Sequence, residues 1–258
     1  MLHGRFDRGM DLSPQASLHV LIRSTSEQFP TSIDSPDGRN VVLLYRLHIL
    51  SALMSGGRTV VAAKIDESGE EVFGGVAVWF PPNEALNIWN IRRMAKAGVF
   101  KLLKGWGIVA FFRAISLLEN SEIGMKRAFE DRSKLVGKVL KPKDSWHLQA
   151  IMTSKAFEGR GLMSLLQREG FAHAIKVAKS AGQEVKPITL EASSDRARDR
   201  YFHLGYEFAP NQPFILGKGK VDDNGLKTSS SEKATGIRIY CMINWNPDPE
   251  HGRKESKN

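Results

Sequence analysis

The stretch Ser145–Gly170 constrains the fold more than any other part of this 258-residue chain. Trp146 to Thr153 alternates like a strand. Leu148, Ala150 and Met152 are predicted to face one way, His147, Gln149 and Ile151 the other. From Leu162 onward, Leu162, Leu165, Leu166, Phe171, Ile175 and Ala178 recur at roughly helical spacing. Between strand and helix lies Glu158-Gly159-Arg160-Gly161. A glycine-rich turn from a strand into a helix exposes unpaired backbone N–H groups at the positive end of the helix dipole, which suits a phosphate. Gly159 and Gly161 can take positive φ and admit a ligand close to the backbone, and Arg160 adds a cation. Taken alone, such a turn is more often a plain corner.

A second block follows. Pro187 to Ser193 is a short apolar strand, and Asp195 to Phe208 reads as helix, glycine stop and strand. Asp195 or Ser194 can cap the helix, and Gly205 sits where a left-handed residue ends one.

Together these blocks resemble the GCN5-related N-acetyltransferase (GNAT) superfamily. Its cofactor loop reads Gln/Arg-x-x-Gly-x-Gly/Ala; here Glu158, Gly161 and Met163 occupy the three places, so the first and last depart from the pattern. The family's later motif, Asn-x-x-Ala-x-x-x-Tyr-x-x-x-Gly-Phe, is matched by Ala197, Tyr201 and Gly205, with Ser194 for the Asn and Tyr206 for the Phe. With Trp146 and the late Tyr240-Cys241-Met242 strand, the order looks most like the puromycin N-acetyltransferase-like branch. The resemblance covers residues 145–210 and 236–245, is faint over 58–82 and is missing over 1–57.

That resemblance implies an α/β (α+β) fold: a mixed, mostly antiparallel sheet of six to seven strands, splayed between the fourth and fifth, with helices on both faces. It also implies direct transfer of an acetyl group from acetyl-CoA to a small-molecule amine. Backbone N–H groups near Ile151, Met152 and Thr153 would polarise the thioester carbonyl. Glu158, Gly159, Arg160, Gly161, Leu162 and Met163 would hold the pyrophosphate, with Ser194 and Ala197 nearby. Tyr201 stands where the family often places the acid for the leaving thiolate, a phenol of pKa ~10 facing a thiolate of pKa ~8.5. Two residues compete for the base. His147 lies where some members carry a fourth-strand glutamate, and Glu191 lies on the fifth strand. A non-catalytic module that binds CoA or an amine on the same fold is the alternative.

Other function classes find less support. The seven histidines are dispersed without ligand spacing, so no metal is expected. No Gly-x-Ser-x-Gly elbow points to a hydrolase. The net charge of +9 favours anionic partners without choosing among them, and no arginine-aromatic tract marks a nucleic-acid binder. Cys241 is the single cysteine, so no internal disulfide is possible; it reads as a small buried side chain in a reducing compartment. The first ten residues lack an apolar core for a secretory signal, which leaves a cytoplasmic or nuclear location as the expectation. Nothing in the pattern sets the oligomeric state.

In chain order, one domain is expected over residues 18–245, preceded by a loose arm at 1–17. Leu18–Arg23 reads as a strand, 24–39 as a loop, and Val41–Met54 as a helix ended by Gly56-Gly57. Arg58–Ile65 and Val72–Phe80 form a hairpin halted at Pro81. Residues 84–140 are a helical insertion, with helices predicted at 85–97, 99–119 and 122–139. The middle helix is the most apolar stretch, but Lys101, Lys104 and Arg113 rule out a membrane span. Packing on the sheet is preferred to an interfacial membrane helix. By the resemblance, Trp79, Phe80, Trp89, Trp106, Phe111 and Phe112 are candidates to wall an acceptor pocket, or plain core. Residues 217–235 read as a flexible polar loop and 246–258 as a polar tail.

Overall fold

The computed structural model describes residues 36–251 other than 66, 67, 88 and 227, and only the backbone of 36, 37 and 108–114. The expected strand at 18–23 and the arm at 1–17 lie outside the described residues.

Helix α1 (Pro36–Met54) precedes the hairpin of β1 (Arg58–Ile65) and β2 (Glu71–Phe80). Two helices follow, α2 (Ile91–Ala97) and α3 (Val99–Val136). Then come β3 (Trp146–Thr153), α4 (Leu162–Ser180), β4 (Ile188–Ala192), α5 (Asp195–Phe202), β5 (Glu207–Phe208), β6 (Phe214–Leu216) and β7 (Ile237–Asn244). The seven strands form one sheet in the order β1-β2-β3-β4-β7-β5, with β6 also paired to β7. All neighbours are antiparallel except β3 and β4. That parallel pair needs a crossover, and α4 supplies it.

Each sheet face is covered. Leu166, Phe171 and Ala174 of α4 pack on Ala77, Trp79, Trp146 and Leu148. A Cβ at Gly170 would collide with the Trp79 indole, so glycine lets α4 lie close over that ring. On the other face, Ala52 of α1 meets Val78 and Phe80. The far half of α3 lays Met125, Ala128 and Phe129 on Cys241 and Ile243 of β7. The mixed sheet with helices on both faces meets the expectation from the sequence.

Several local expectations change. Helix α1 begins at Pro36, inside the predicted loop, because a proline suits the first turn of a helix. The stretch before Asn90 is not helical; Asn90 caps α2, its side chain accepting from Arg93 N. Two helices are predicted at 99–119 and 122–139, but the chain is helical through residues 120 and 121, and the break falls at Gly107 (φ 76°, ψ 171°), a conformation open to glycine, so that α3 is two helical segments joined by a kink. In residues 217–235, Val221 and Ala234 are buried, and Asp222 Oδ1 accepts from the N–H groups of Asn224 and Leu226. Two apolar residues in a polar stretch anchor turns that its composition hides.

The sheet departs from ideal pairing between β1 and β2 at Ala62/Ala63 and between β2 and β3, and the second departure bears on the site. Between β2 and β3, Trp79 is opposite Leu148 and Val78 is opposite Ala150, so Gln149 has no partner in the register. This bulge breaks the predicted alternation. Ile151 packs with the same cluster as Leu148, whereas Ala150 turns to the α1 side with Val78 and Phe80.

Candidate active site

Strands β3 and β4 run side by side for three residue pairs, Trp146–Ile188, His147–Thr189 and Leu148–Leu190. Beyond Leu148 they separate. The gap opens a cleft of about 720 Å³ including its mouth, walled by Leu148–Thr153 on one side and by Glu191, Ala192, Ser193, Ala197 and Tyr201 on the other. Tyr45 from α1 and Met163 from α4 complete it. The bulge at Gln149 sits where the strands part, and a bulged strand bends away from its neighbour.

Of the three sequence-predicted catalytic residues, Glu191 and Tyr201 line this cleft, and His147 is held against Glu191. In the parallel pair His147 is opposite Thr189, and Glu191 is two residues further along the same face of β4. His147 Nε2 therefore comes within 3.4 Å of Glu191 Oε2, while Nδ1 lies 3.1 Å from Thr189 Oγ1. Thr189 Oγ1 is in turn 3.2 Å from Trp146 O. The other carboxylate oxygen, Glu191 Oε1, accepts a hydrogen bond from the Ser121 hydroxyl of α3. Glu191 lines the cleft and His147 stands behind it.

Tyr201 is buried on the same wall, its ring edge-on to Tyr206 at 5.6 Å. Burial holds its phenol well above the ordinary value of 10, and the Glu191 charge pushes the same way. The phenol therefore stays protonated across the neutral range. Burial also raises Tyr45 to about 12. Cys241, opposite Glu191 on β7, is raised to about 12 by burial, with Glu191 adding to the effect. A thiol held protonated is no nucleophile, as the sequence led one to expect.

The predicted cofactor residues divide into two groups. Ile151, Met152, Thr153, Met163 and Ala197 line the cleft; Glu158, Gly159, Arg160, Gly161, Leu162 and Ser194 do not. Gly161 (φ 77°) is the N-cap of α4 and makes no side-chain cap bond. Gly159 and Gly161 have open space where a Cβ would stand. The first amides of α4 thus lack the side-chain acceptor that most helix starts recruit. Leu162 is core, packed beneath Gly74 and Gly75. Ser194 caps α5 through its hydroxyl to Ala197 N at 3.2 Å, so of the two residues proposed for that cap it is Ser194. Asp195 instead accepts from Tyr240, Arg198 and Arg238. Glu158 reaches across to α5, its Oε2 3.6 Å from Arg196 Nη2, and Arg160 stacks over Phe157 at 5.6 Å.

These features fit a pantetheine diphosphate ligand. The separated edge of β3 can pair with an extended amide chain, and a glycine-capped helix start can hold phosphate. Met163 narrows the cleft from the α4 side.

Of the two alternatives for the aromatic residues, plain core holds for Trp79 and Phe80. Trp79 and Phe80 are fully buried in the two faces of the core, and Trp89 is exposed to solvent. Trp106 packs with Leu44 and Leu102 of a separate cluster. The side chains of Phe111 and Phe112 lie outside the described residues. The residues that sequence reasoning missed are Ser121, Thr189 and Tyr45. Thr189 was detectable as the residue two before Glu191 on the same strand face. Ser121 carried no local signal, because its role depends on how a 38-residue helix crosses the sheet.

Among the described residues no group of three or more His, Cys, Asp or Glu is placed to hold a metal ion, and no helix is long and apolar enough to cross a membrane.

No family model and no curated protein matches the chain. Solved structures to which it is similar include three acetyltransferases. The Corynebacterium glutamicum histone acetyltransferase HPA2 and related acetyltransferase is 21% identical, with a TM-score of 0.41 over 85% of this chain and 80% of that one. Arylalkylamine N-acetyltransferase 2 from Aedes aegypti is 16% identical, with a TM-score of 0.49 over 83% and 88%. Mosquito arylalkylamine N-acetyltransferase like 5b is 16% identical, with a TM-score of 0.43 over 83% and 96%.

Proposed function

We propose that this protein is an acetyl-CoA-dependent N-acetyltransferase acting on a small-molecule amine by direct transfer in a ternary complex. The observation that carries the reading is the parting of β3 and β4 beyond Leu148, with Glu191 and Tyr201 facing into the gap.

Acetyl-CoA, when bound, supplies an acyl group activated as a thioester. Backbone N–H groups of β3 around Ile151 to Thr153 are the donors for the negative charge that develops on the carbonyl oxygen. The amides from Gly159 to Met163 at the start of α4 take the phosphates. An amine reaches the cleft as an ammonium and must lose a proton before it attacks. Glu191 is the group placed to take it, and His147 Nε2, at 3.4 Å, is placed to relay it away. Ser121 fixes the carboxylate through its first oxygen, so that the second faces the imidazole. Tyr201 supports the leaving sulfur. Its raised pKa makes full proton transfer to a thiolate of pKa ~8.5 uphill, so its main contribution is a hydrogen bond to the charge building on sulfur.

The decisive experiment is calorimetric titration of the protein with acetyl-CoA, followed by a screen of amines for release of free thiol. No binding at millimolar acetyl-CoA ends the reading. Binding without turnover, the second reading, is favoured by Met163, which fills space where a small residue would leave the cofactor room. Tight binding with no active amine among arylalkylamines, aminonucleosides and polyamines would support it.

A further inference from the structure

Outside the cleft lining, residues 89–100, from just before α2 to the start of α3, carry large apolar groups that the fold does not use. Met94, Ala97 and Leu102 turn inward and are buried. Trp89 is 76% exposed, Ile91 69% and Phe100 60%. Three large apolar side chains exposed within twelve residues of sequence suit a surface that meets something apolar. α2 is only seven residues long, about 10 Å, so Ile91 and Phe100 flank one short helix.

The charge around them is of one sign. Residues 85–118 contain Arg92, Arg93, Lys96, Lys101, Lys104 and Arg113 and no Asp or Glu. Arg93 is engaged within the fold, its Nη1 2.8 Å from Glu84 Oε2 and 2.7 Å from Ser55 Oγ. Arg92, Lys96, Lys101 and Lys104 pair with no carboxylate among the described residues. Lys96, Lys101 and Lys104 are exposed beside Phe100 in sequence, and Arg92 is exposed beside Ile91.

We propose that this face, bearing Trp89, Ile91 and Phe100 among Arg92, Lys96, Lys101 and Lys104, docks peripherally on an anionic lipid surface. An indole, a phenyl ring and an aliphatic side chain enter the boundary between headgroups and acyl chains, while the long cationic side chains reach the lipid phosphates. No described helix can span a bilayer, so the contact is with the surface. A nucleic acid would engage the cations and stack on the two rings, but would give Ile91 nothing to bury against. The proposal does not depend on acetyl transfer.

Co-sedimentation of the intact protein with phosphatidylcholine vesicles, with and without phosphatidylserine, tests it. Binding is expected only to the vesicles containing phosphatidylserine, weakening as salt is raised. The double variant Trp89→Ala/Phe100→Ala should weaken binding roughly tenfold or more, and Lys96→Gln/Lys101→Gln/Lys104→Gln should abolish the preference for anionic lipid. All five side chains are exposed, so unchanged circular dichroism and melting are expected for both variants. Wild-type tryptophan fluorescence should shift to the blue on binding, and the shift should be lost in Trp89→Phe. Absence of binding to anionic vesicles overturns the proposal, as does binding that neither set of substitutions weakens. Retention of an oligonucleotide by the protein, with Ile91 dispensable and vesicles ignored, would assign the face to nucleic acid instead.

Discussion

His147 Nε2 stands 3.4 Å from Glu191 Oε2 at the point where β3 and β4 separate, and only the carboxylate of this pair borders the cleft. The contact follows from strand register. His147 is opposite Thr189, and a step of two along β4 returns the chain to the same face at Glu191.

This geometry ranks the two candidate bases. Glu191→Gln should lower kcat by about 10²-fold or more, the scale of a general base, with acetyl-CoA affinity little changed. His147→Ala should cost about tenfold, because the carboxylate that meets the amine remains. Steady-state rates with an active amine across pH decide the matter. A larger loss for His147→Ala than for Glu191→Gln would reverse the roles.

Tyr201→Phe should lower kcat by roughly 10²-fold, the scale of losing one preorganised hydrogen-bond donor, while the ring still packs beside Tyr206 and acetyl-CoA binding holds. Because burial holds the phenol above 10, an alkaline fall in rate due to Tyr201 belongs above pH ~10. Wild-type kcat in Tyr201→Phe would remove the residue from the chemistry.

Glu158 places a negative charge beside the amides that would take phosphate, and it restrains Arg196 at 3.6 Å. An exposed pair of this kind is worth well under ~1 kcal/mol to the fold. Glu158→Gln should therefore leave stability unchanged and tighten acetyl-CoA binding by roughly fivefold, about 1 kcal/mol, at low salt. Arg196→Gln should weaken it. Calorimetric Kd values for the two variants and their combination provide the check, and unchanged affinity in both would show that the bridge lies off the phosphate path.

His48 is buried in α1, and its pKa is lowered to about 4, chiefly by burial, with the nearby His147 adding to the effect. The unfolded chain takes up this proton near 6.5; the folded chain refuses it until about 4. The corresponding stability is present in full above about pH 6.5 and is lost progressively as pH falls through about 4. The loss should approach ~3 kcal/mol. Urea denaturation at several pH values should show the fall in wild type and a smaller one in His48→Gln. Equal slopes would exonerate His48.

The elements around the site were legible because their signals are local. The period-two run of β3, the helical spacing of α4 and the glycines between them are read within a few residues of each other. The same holds for the Ser194 cap and for the strand that carries Glu191. The alternation of β3 failed at Gln149 because a bulge depends on the partner strand, and β2 lies some seventy residues earlier in the chain.

Local sequence signals sufficed for the set of parts: a strand that enters a glycine-capped helix, a second strand bearing Glu191, and a short helix that presents Tyr201. Periodicity and capping are properties of neighbouring residues, so they survive without a tertiary context. Only the tertiary structure decided which residues share a site. The choice between His147 and Glu191 became a pair when β3 and β4 took their register. Ser121 joined it when α3 crossed β7, and Trp79 and Phe80, candidates for wall or core, became core when α4 and α1 closed over the two faces. Those outcomes depend on contacts between residues far apart in the chain, set by which faces bury together.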